Sequence, residues 1–167
     1  MSYRDATPAD AAAVDAVFRE SFQATFAHLY APEDLASFLA RFTVVGWAGE
    51  LADPAFAFRV IEDAHGIAGY CKLGPISLPA EPQGPALELR QLYLLDRAKG
   101  SGAAQALMDW ALATARTRGA AELWLSVYID NHRAKRFYQR YGFEDRGPYA
   151  FMVGNHADED RLMRVAL

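Results

Sequence analysis

Two stretches of the chain combine residue types and spacings that suit binding and proton transfer. The first is KGSGAA, running Lys99, Gly100, Ser101, Gly102, Ala103, Ala104 and on to Gln105. It joins the apolar run LELRQLYLL to QALMDWALATARTRG, a strand-like segment to a helix-like one. Small side chains there leave backbone N–H groups approachable, and the dipole of the following helix favours negative charge at that end. A tight turn would need the same glycines; a phosphate would use them as a cradle. The second stretch is NHRAKRFYQRYGF, in which Asn131 and Tyr138 stand seven residues apart. Two helical turns return them to nearly one face, so an amide and a phenol can line one cleft. In the plainer alternative Asn131 only caps the helix, and Phe137, Tyr138 and Tyr141 are core aromatics.

The loop is selective about its ligand. A phosphate loop of the nucleotide-hydrolase type needs Gly-Lys-Ser/Thr, which is absent. A dinucleotide fingerprint needs a third glycine where Gln105 stands. A third class of such loops binds the pyrophosphate of coenzyme A, and the second motif has to decide whether this is one of them.

Flanking elements must position these residues. SYRDA reads as a short strand, and Thr7 with Pro8 opens a helix over 8–24 whose stripe is Val14, Val17, Phe18 and Phe22. Pro32 starts a second helix over 32–42 through Leu35, Phe38, Leu39 and Phe42, and VVGWAGELAD is ambiguous. AFAFRVIED and IAGYCKLGPI form a hairpin around DAHG, and the Pro-rich LPAEPQGPA is a surface loop. ALELRQLYLL is a strand, 102–118 a helix ended by Gly119, AELWLSVYI a strand, and the helix carrying Asn131 and Tyr138 closes at Gly142. FEDRGPYAFMVG and RLMRVAL read as final strands joined by a polar turn, NHADED. Hairpins at both ends and a strand–helix–strand unit between them predict an α+β fold, a mixed, mostly antiparallel sheet with helices on both faces, in a single domain over 1–167.

Composition narrows the function classes. The 167 residues carry 17 Lys and Arg against 21 Asp and Glu, a formal net charge of −4. That balance argues against nucleic acid or an anionic membrane as partner. Cys71, the one cysteine, forms neither an internal disulfide nor a thiolate zinc site and reads as a small strand residue. The histidines show no metal-ligand spacing, so no metal is expected. With no signal-like N-terminus and no apolar run of spanning length, the reading is a soluble cytoplasmic protein.

The two motifs together resemble the GCN5-related N-acetyltransferase (GNAT) family. Its loop, Gln/Arg-x-x-Gly-x-Gly/Ala, corresponds to Lys99, Gly102 and Ala104, with Lys as a departure. Its downstream N-x-x-A-x-x-F-Y-x-x-x-G-F corresponds to Asn131, Ala134, Phe137, Tyr138, Gly142 and Phe143. The N-terminal helices and the ending GPYAFMVGNHADEDRLMRVAL resemble, more weakly, the polyamine (spermidine/spermine-type) branch.

The resemblance implies an acetyl-CoA-dependent N-acetyltransferase that moves an acetyl group to a primary amine of a small molecule or polyamine by direct attack on the thioester. Backbone groups of Leu92, Tyr93 and Leu94 would pair with the pantetheine arm, residues 99–105 would hold the pyrophosphate, and Asn131 would hold the pantetheine. Tyr138 would protonate the leaving thiolate. Glu88, on the strand entering the site, would be the base, a salt-bridging strand residue being the alternative. Helices 8–24 and 32–42, the loop 79–85 and Tyr128 would frame the acceptor pocket. Arg133, Lys135, Arg136 and Arg140 would form either a phosphate-binding edge or a solvated face. The expected partners are acetyl-CoA and an amine acceptor, with a homodimer open. A protein or peptide acceptor, and a non-catalytic acyl-CoA sensor, are the competing readings.

Overall fold

In the computed structural model, which describes residues 1–167, the strands are β1 (Ser2–Asp5), β2 (Ala57–Asp63), β3 (Gly66–Gly74), β4 (Ala86–Leu94), β5 (Glu122–Tyr128), β6 (Glu144–Val153) and β7 (His156–Ala166). The helices are α1 (Ala11–Phe26), α2 (Pro32–Leu39), α3 (Val44–Ala52), α4 (Ala103–Thr117) and α5 (His132–Arg140). The strands form one seven-stranded sheet in the order β1-β2-β3-β4-β5-β7-β6. Every pairing is antiparallel except β4 with β5, the two strands joined through α4. The α+β architecture expected from the element pattern is the one observed.

Apolar stripes decide which face each helix covers. Leu107, Met108, Ala111 and Ala115 of α4 bury against Cys71, Leu73, Leu123 and Leu125 of the sheet, with α5 packed beside them. On the other face Val14, Phe18 and Phe22 of α1 join Phe38, Trp47, Val60 and Tyr70. Phe18 sits among Phe42, Trp47 and Tyr93, at centroid distances of 4.4, 5.7 and 5.7 Å. Such aromatic packing is stiff, and it fixes α1 over the centre of the sheet. Cys71 is fully buried on β3, as a small strand residue should be.

Several boundaries differ from the expected ones. A 3-10 turn over Pro8–Asp10 precedes α1, because the carboxylate of Asp10 accepts the Thr7 N–H at 2.8 Å and holds the first turn tight. The ambiguous segment is α3, capped by Thr43, whose Oγ1 accepts the Gly46 N–H at 3.0 Å. The stretch expected as a polar turn is the first half of β7, which pairs from His156 to Arg164 with β6. Only Gly154 and Asn155 remain as the turn. Gly154 has φ +57°, and a Cβ there would lie 2.6 Å from the Asp34 Cα, so the turn is wedged against the start of α2. No helix is long and apolar enough to cross a membrane.

Candidate active site

The site begins where two strands part. β4 and β5 pair only through Ala86–Glu88 and Glu122–Trp124, yet β4 continues to Leu94 and β5 to Tyr128. Just past the last paired step, the β3–β4 register shifts and leaves Arg90 without a partner. A bulge of this kind bends and twists its strand, and β4 swings away from β5. The resulting wedge opens into a cleft of about 740 Å³ that passes through the sheet.

One end of the cleft is built by the small-residue loop. Gly100 has φ +74° and Gly102 φ +84°, and a Cβ at Gly100 would meet nothing within 4 Å. These glycines turn the chain into α4 without filling the space in front of it. The first intrahelical bond runs from the Ala106 N–H to the Gly102 carbonyl, and the N–H groups of Ala103, Ala104 and Gln105 have no acceptor. Three unpaired donors at the N-terminus of a 15-residue helix form an anion cradle. Lys99, Gly100, Gly102, Ala104 and Gln105 line it. The side chains of Ser101 and Ala103 point elsewhere: Ser101 Oγ turns back to donate to the Ala98 carbonyl at 2.6 Å, and the Ala103 methyl is buried in the core. Lys99 lies along the edge with its Nζ 2.6 Å from Asp96 Oδ1.

The middle is made by both strand edges and α5. Leu92, Tyr93 and Leu94 form one wall, and Leu125, Ser126 and Val127 the other. Asn131 caps α5, accepting the Ala134 N–H at 3.3 Å, and lines the cleft as well. Tyr138 packs on Phe137 and Phe143 at 5.5 and 5.8 Å. Its phenol faces the cleft, where burial raises its pKa and keeps it protonated. Both readings of Asn131 and Tyr138 hold together: each is structural and each borders the cleft. Arg133 and Arg140 line the cleft, whereas Lys135 donates to the Ile129 carbonyl at 3.1 Å.

The far end is aromatic and acidic. α1 contributes Ser21, Phe22, Thr25 and Phe26, β5 contributes Tyr128, and β7 contributes Asp158 and Asp160. Asp160 is 6% exposed. Burial, and then the neighbouring charge of Asp158, raise its pKa from the ordinary carboxylate value to about 7, with Ser126 pulling the other way. Tyr93 is raised by burial first and then by its neighbours Tyr138 and Asp160. A carboxyl raised toward neutrality and a protonated phenol therefore flank the wedge. Tyr30 donates a hydrogen bond to Asp158 Oδ2, and His156 Nε2 lies 3.1 Å from Oδ1. α2 and the loop 79–85 stay outside the cleft. The loop is tied down instead by Glu122, which accepts the Gln83 and Gly84 N–H groups at 2.7 and 3.1 Å.

Glu88 lies apart from this constellation. It sits at the last paired step of β4 and β5, 7% exposed, with its Oε1 accepting both the N–H and the hydroxyl of Ser77 at 2.8 Å. It borders a second, smaller pocket beside Lys72, which is ion-paired to Glu50 and stands 5.0 Å over the Trp47 ring. Its partner is thus a loop serine rather than the salt bridge considered from sequence. The carboxylate that does face the wedge, Asp160, falls in the stretch expected as a turn. Alternation of Ala157, Glu159 and Arg161 against Asp158, Asp160 and Leu162 is the signal that marks it.

Comparison with known proteins agrees with this geometry. The model of the acetyltransferase (GNAT) family matches residues 13–143. An uncharacterized N-acetyltransferase of Mycobacterium tuberculosis is 37% identical over 155 residues, 92% of this chain and 96% of that protein. Another from Lactobacillus delbrueckii subsp. lactis is 31% identical over 154 residues, 91% and 89% of the two chains. Among solved structures, the PaiA N-acetyltransferase of Thermoplasma acidophilum in complex with coenzyme A superimposes with a TM-score of 0.79 at 20% identity, over 100% of both chains. The ribosomal-protein-alanine N-acetyltransferase of Brucella melitensis does so with a TM-score of 0.70 at 24% identity, also over 100% of both.

Proposed function

We propose, from the premise that the chain belongs to the acetyltransferase (GNAT) family and is an acetyl-CoA-dependent N-acetyltransferase, that its acceptor is a primary amine of a small molecule or polyamine, acetylated by direct attack within one domain spanning 1–167. The observation that carries this reading is the placement of Asp160 and Tyr138 on the two sides of the wedge, one able to take a proton and the other to give one.

The residues present fit the cofactor. The unpaired N–H groups of Ala103, Ala104 and Gln105 suit its pyrophosphate, and the open edge of Leu92–Leu94 suits a strand-like pantetheine arm. Bound acetyl-CoA supplies an acetyl group activated as a thioester.

Asp160 accepts the proton of the incoming ammonium, directly or through a water. From an alkylammonium of pKa about 10 to a carboxylate near 7, that transfer is uphill by about 4 kcal/mol; to an ordinary carboxylate near 4 it would be about 8. The raised pKa is thus a kinetic advantage. As the new N–C bond forms and the C–S bond breaks, Tyr138 donates its phenolic proton to the departing sulfur, and the second proton of the attacking nitrogen returns through water to the Tyr138 oxygen, so that amide and thiol both leave neutral and the one proton released stays on Asp160. A backbone N–H of Leu92–Leu94 polarises the carbonyl while its charge develops.

The test is a turnover assay that follows CoA release and weighs the product. An acceptor heavier by one acetyl group supports the reading. Acetyl-CoA binding with no amine turned over favours the sensor alternative, and turnover of peptides alone favours the protein acceptor.

A further inference from the structure

The acceptor end of the cleft discriminates between amine classes. Its walls are rings: Phe22 and Phe26 from α1, Tyr30, Tyr128 from β5 and Phe151 from β6. Phe22 and Tyr30 lie nearly parallel, 6.0 Å apart with 8° between planes, and Phe26 meets Tyr128 edge-on at 6.2 Å. Phe151 is backed by Phe38 of α2 at 5.7 Å. These rings are held by their neighbours and present flat apolar surface to whatever enters.

Asp158 and Asp160 share one face of β7, and two free carboxylates at that spacing would suit a diamine. Only one of them is free. Both oxygens of Asp158 are engaged, Oδ2 by the Tyr30 hydroxyl and Oδ1 by His156 Nε2. Asp160, whose one side-chain partner is Ser126, keeps an oxygen to meet an amine. A second ammonium would find rings and the neutral hydroxyls of Ser21 and Thr25 but no second available carboxylate, and the next charged residue along the β4 wall is the cation Arg90. Cation–π attraction to those rings recovers only part of the hydration a buried ammonium loses.

We propose, resting on the acetyl-transfer reading above, that the preferred acceptor is a monoamine whose amino group is carried by a flat aromatic body, an arylalkylamine rather than a polyamine. The ring slots between the aromatic walls and the amino group reaches Asp160. Asp158, locked by Tyr30 and His156, shapes the floor and takes no second charge.

The experiment compares kcat/KM for 2-phenylethylamine and tyramine with that for n-butylamine, putrescine and spermidine at saturating acetyl-CoA. The arylalkylamines should exceed the others by about 10- to 100-fold, the worth of burying one ring. Phe26→Ala should raise the KM for 2-phenylethylamine about tenfold and leave acetyl-CoA affinity unchanged. Tyr30→Phe keeps the ring but releases Asp158, and should raise the putrescine rate relative to 2-phenylethylamine. Putrescine or spermidine matching or beating the arylalkylamines overturns this proposal and leaves amine acetylation standing. Ratios that neither variant moves do the same. Acetyl-CoA binding without turnover of any amine overturns both.

Discussion

Asp160 is held where ionisation is costly, and its two consequences can be measured on one variant. Its carboxyl titrates near 7 in the folded chain and near 3.8 when unfolded. Between those values the unfolded state has released a proton that the folded state keeps, so stability falls as pH rises from about 4 to about 7. Asp160→Asn removes that penalty. Its melting temperature should exceed the wild-type value by more at pH 8 than at pH 5, while kcat collapses. Tyr138→Phe keeps the ring and its packing but loses the proton, and kcat should fall about 10²-fold with acetyl-CoA affinity unchanged by calorimetry. Glu88→Ala removes the acceptor of two Ser77 hydrogen bonds. It should lower the melting temperature, a loss of about 1–3 kcal/mol, and leave the shape of the pH–rate profile intact. At this scale the sequence is legible wherever a residue type is tied to a local motif: Gly102, Asn131 and Tyr138 all border the cleft. Glu88 is expected there only by analogy of strand position, which does not reveal where a side chain points once a bulge intervenes. Asp160 is hidden because buried carboxylates in a strand look, one letter at a time, like a solvated turn.

The N-terminus of α4 and the β6–β7 turn are the two elements on which the site most depends. At the first, Gly102→Glu puts a carboxylate at a left-handed position in front of three unpaired N–H groups. Binding of acetyl-CoA to the folded variant should be lost in calorimetry; retained affinity would rule out the cradle. At the second, Gly154→Ala forces a Cβ to within 2.6 Å of the Asp34 Cα at φ +57°. Backbone must move to relieve it, and because the same turn sets the β7 register, kcat should fall along with melting temperature. Helix α4 is readable from sequence to within one residue at either end, because glycines at both ends and a regular apolar stripe mark it. The first half of β7 is not. Its alternation is visible only if Asp158 and Asp160 are counted as inward-facing, and that requires knowing that a cleft lies there.

Across the whole molecule the wedge between β4 and β5 does the organising. One sheet with helices on both faces would ordinarily separate what lies above it from what lies below. Because the two central strands pair over only three residues each, the α4–α5 side and the α1 side communicate through the gap. The α+β class is legible from element order alone, whereas the parting of the strands is not: it depends on the Arg90 bulge and on pairing partners distant in sequence. In the mechanism proposed above, a proton moves from the amine on one side of this gap to Asp160 as the acetyl group arrives from the other. The pH dependence of kcat/KM, measured for wild type and Asp160→Asn with one amine, tests that most directly. Wild type should show an ascending limb with an apparent pKa near 7, beneath the further rise set by the amine itself. Asp160→Asn should lose the limb near 7 and recover part of its activity only at alkaline pH, where free amine is plentiful. A variant that keeps both the limb and the wild-type rate would contradict a proton transfer to Asp160.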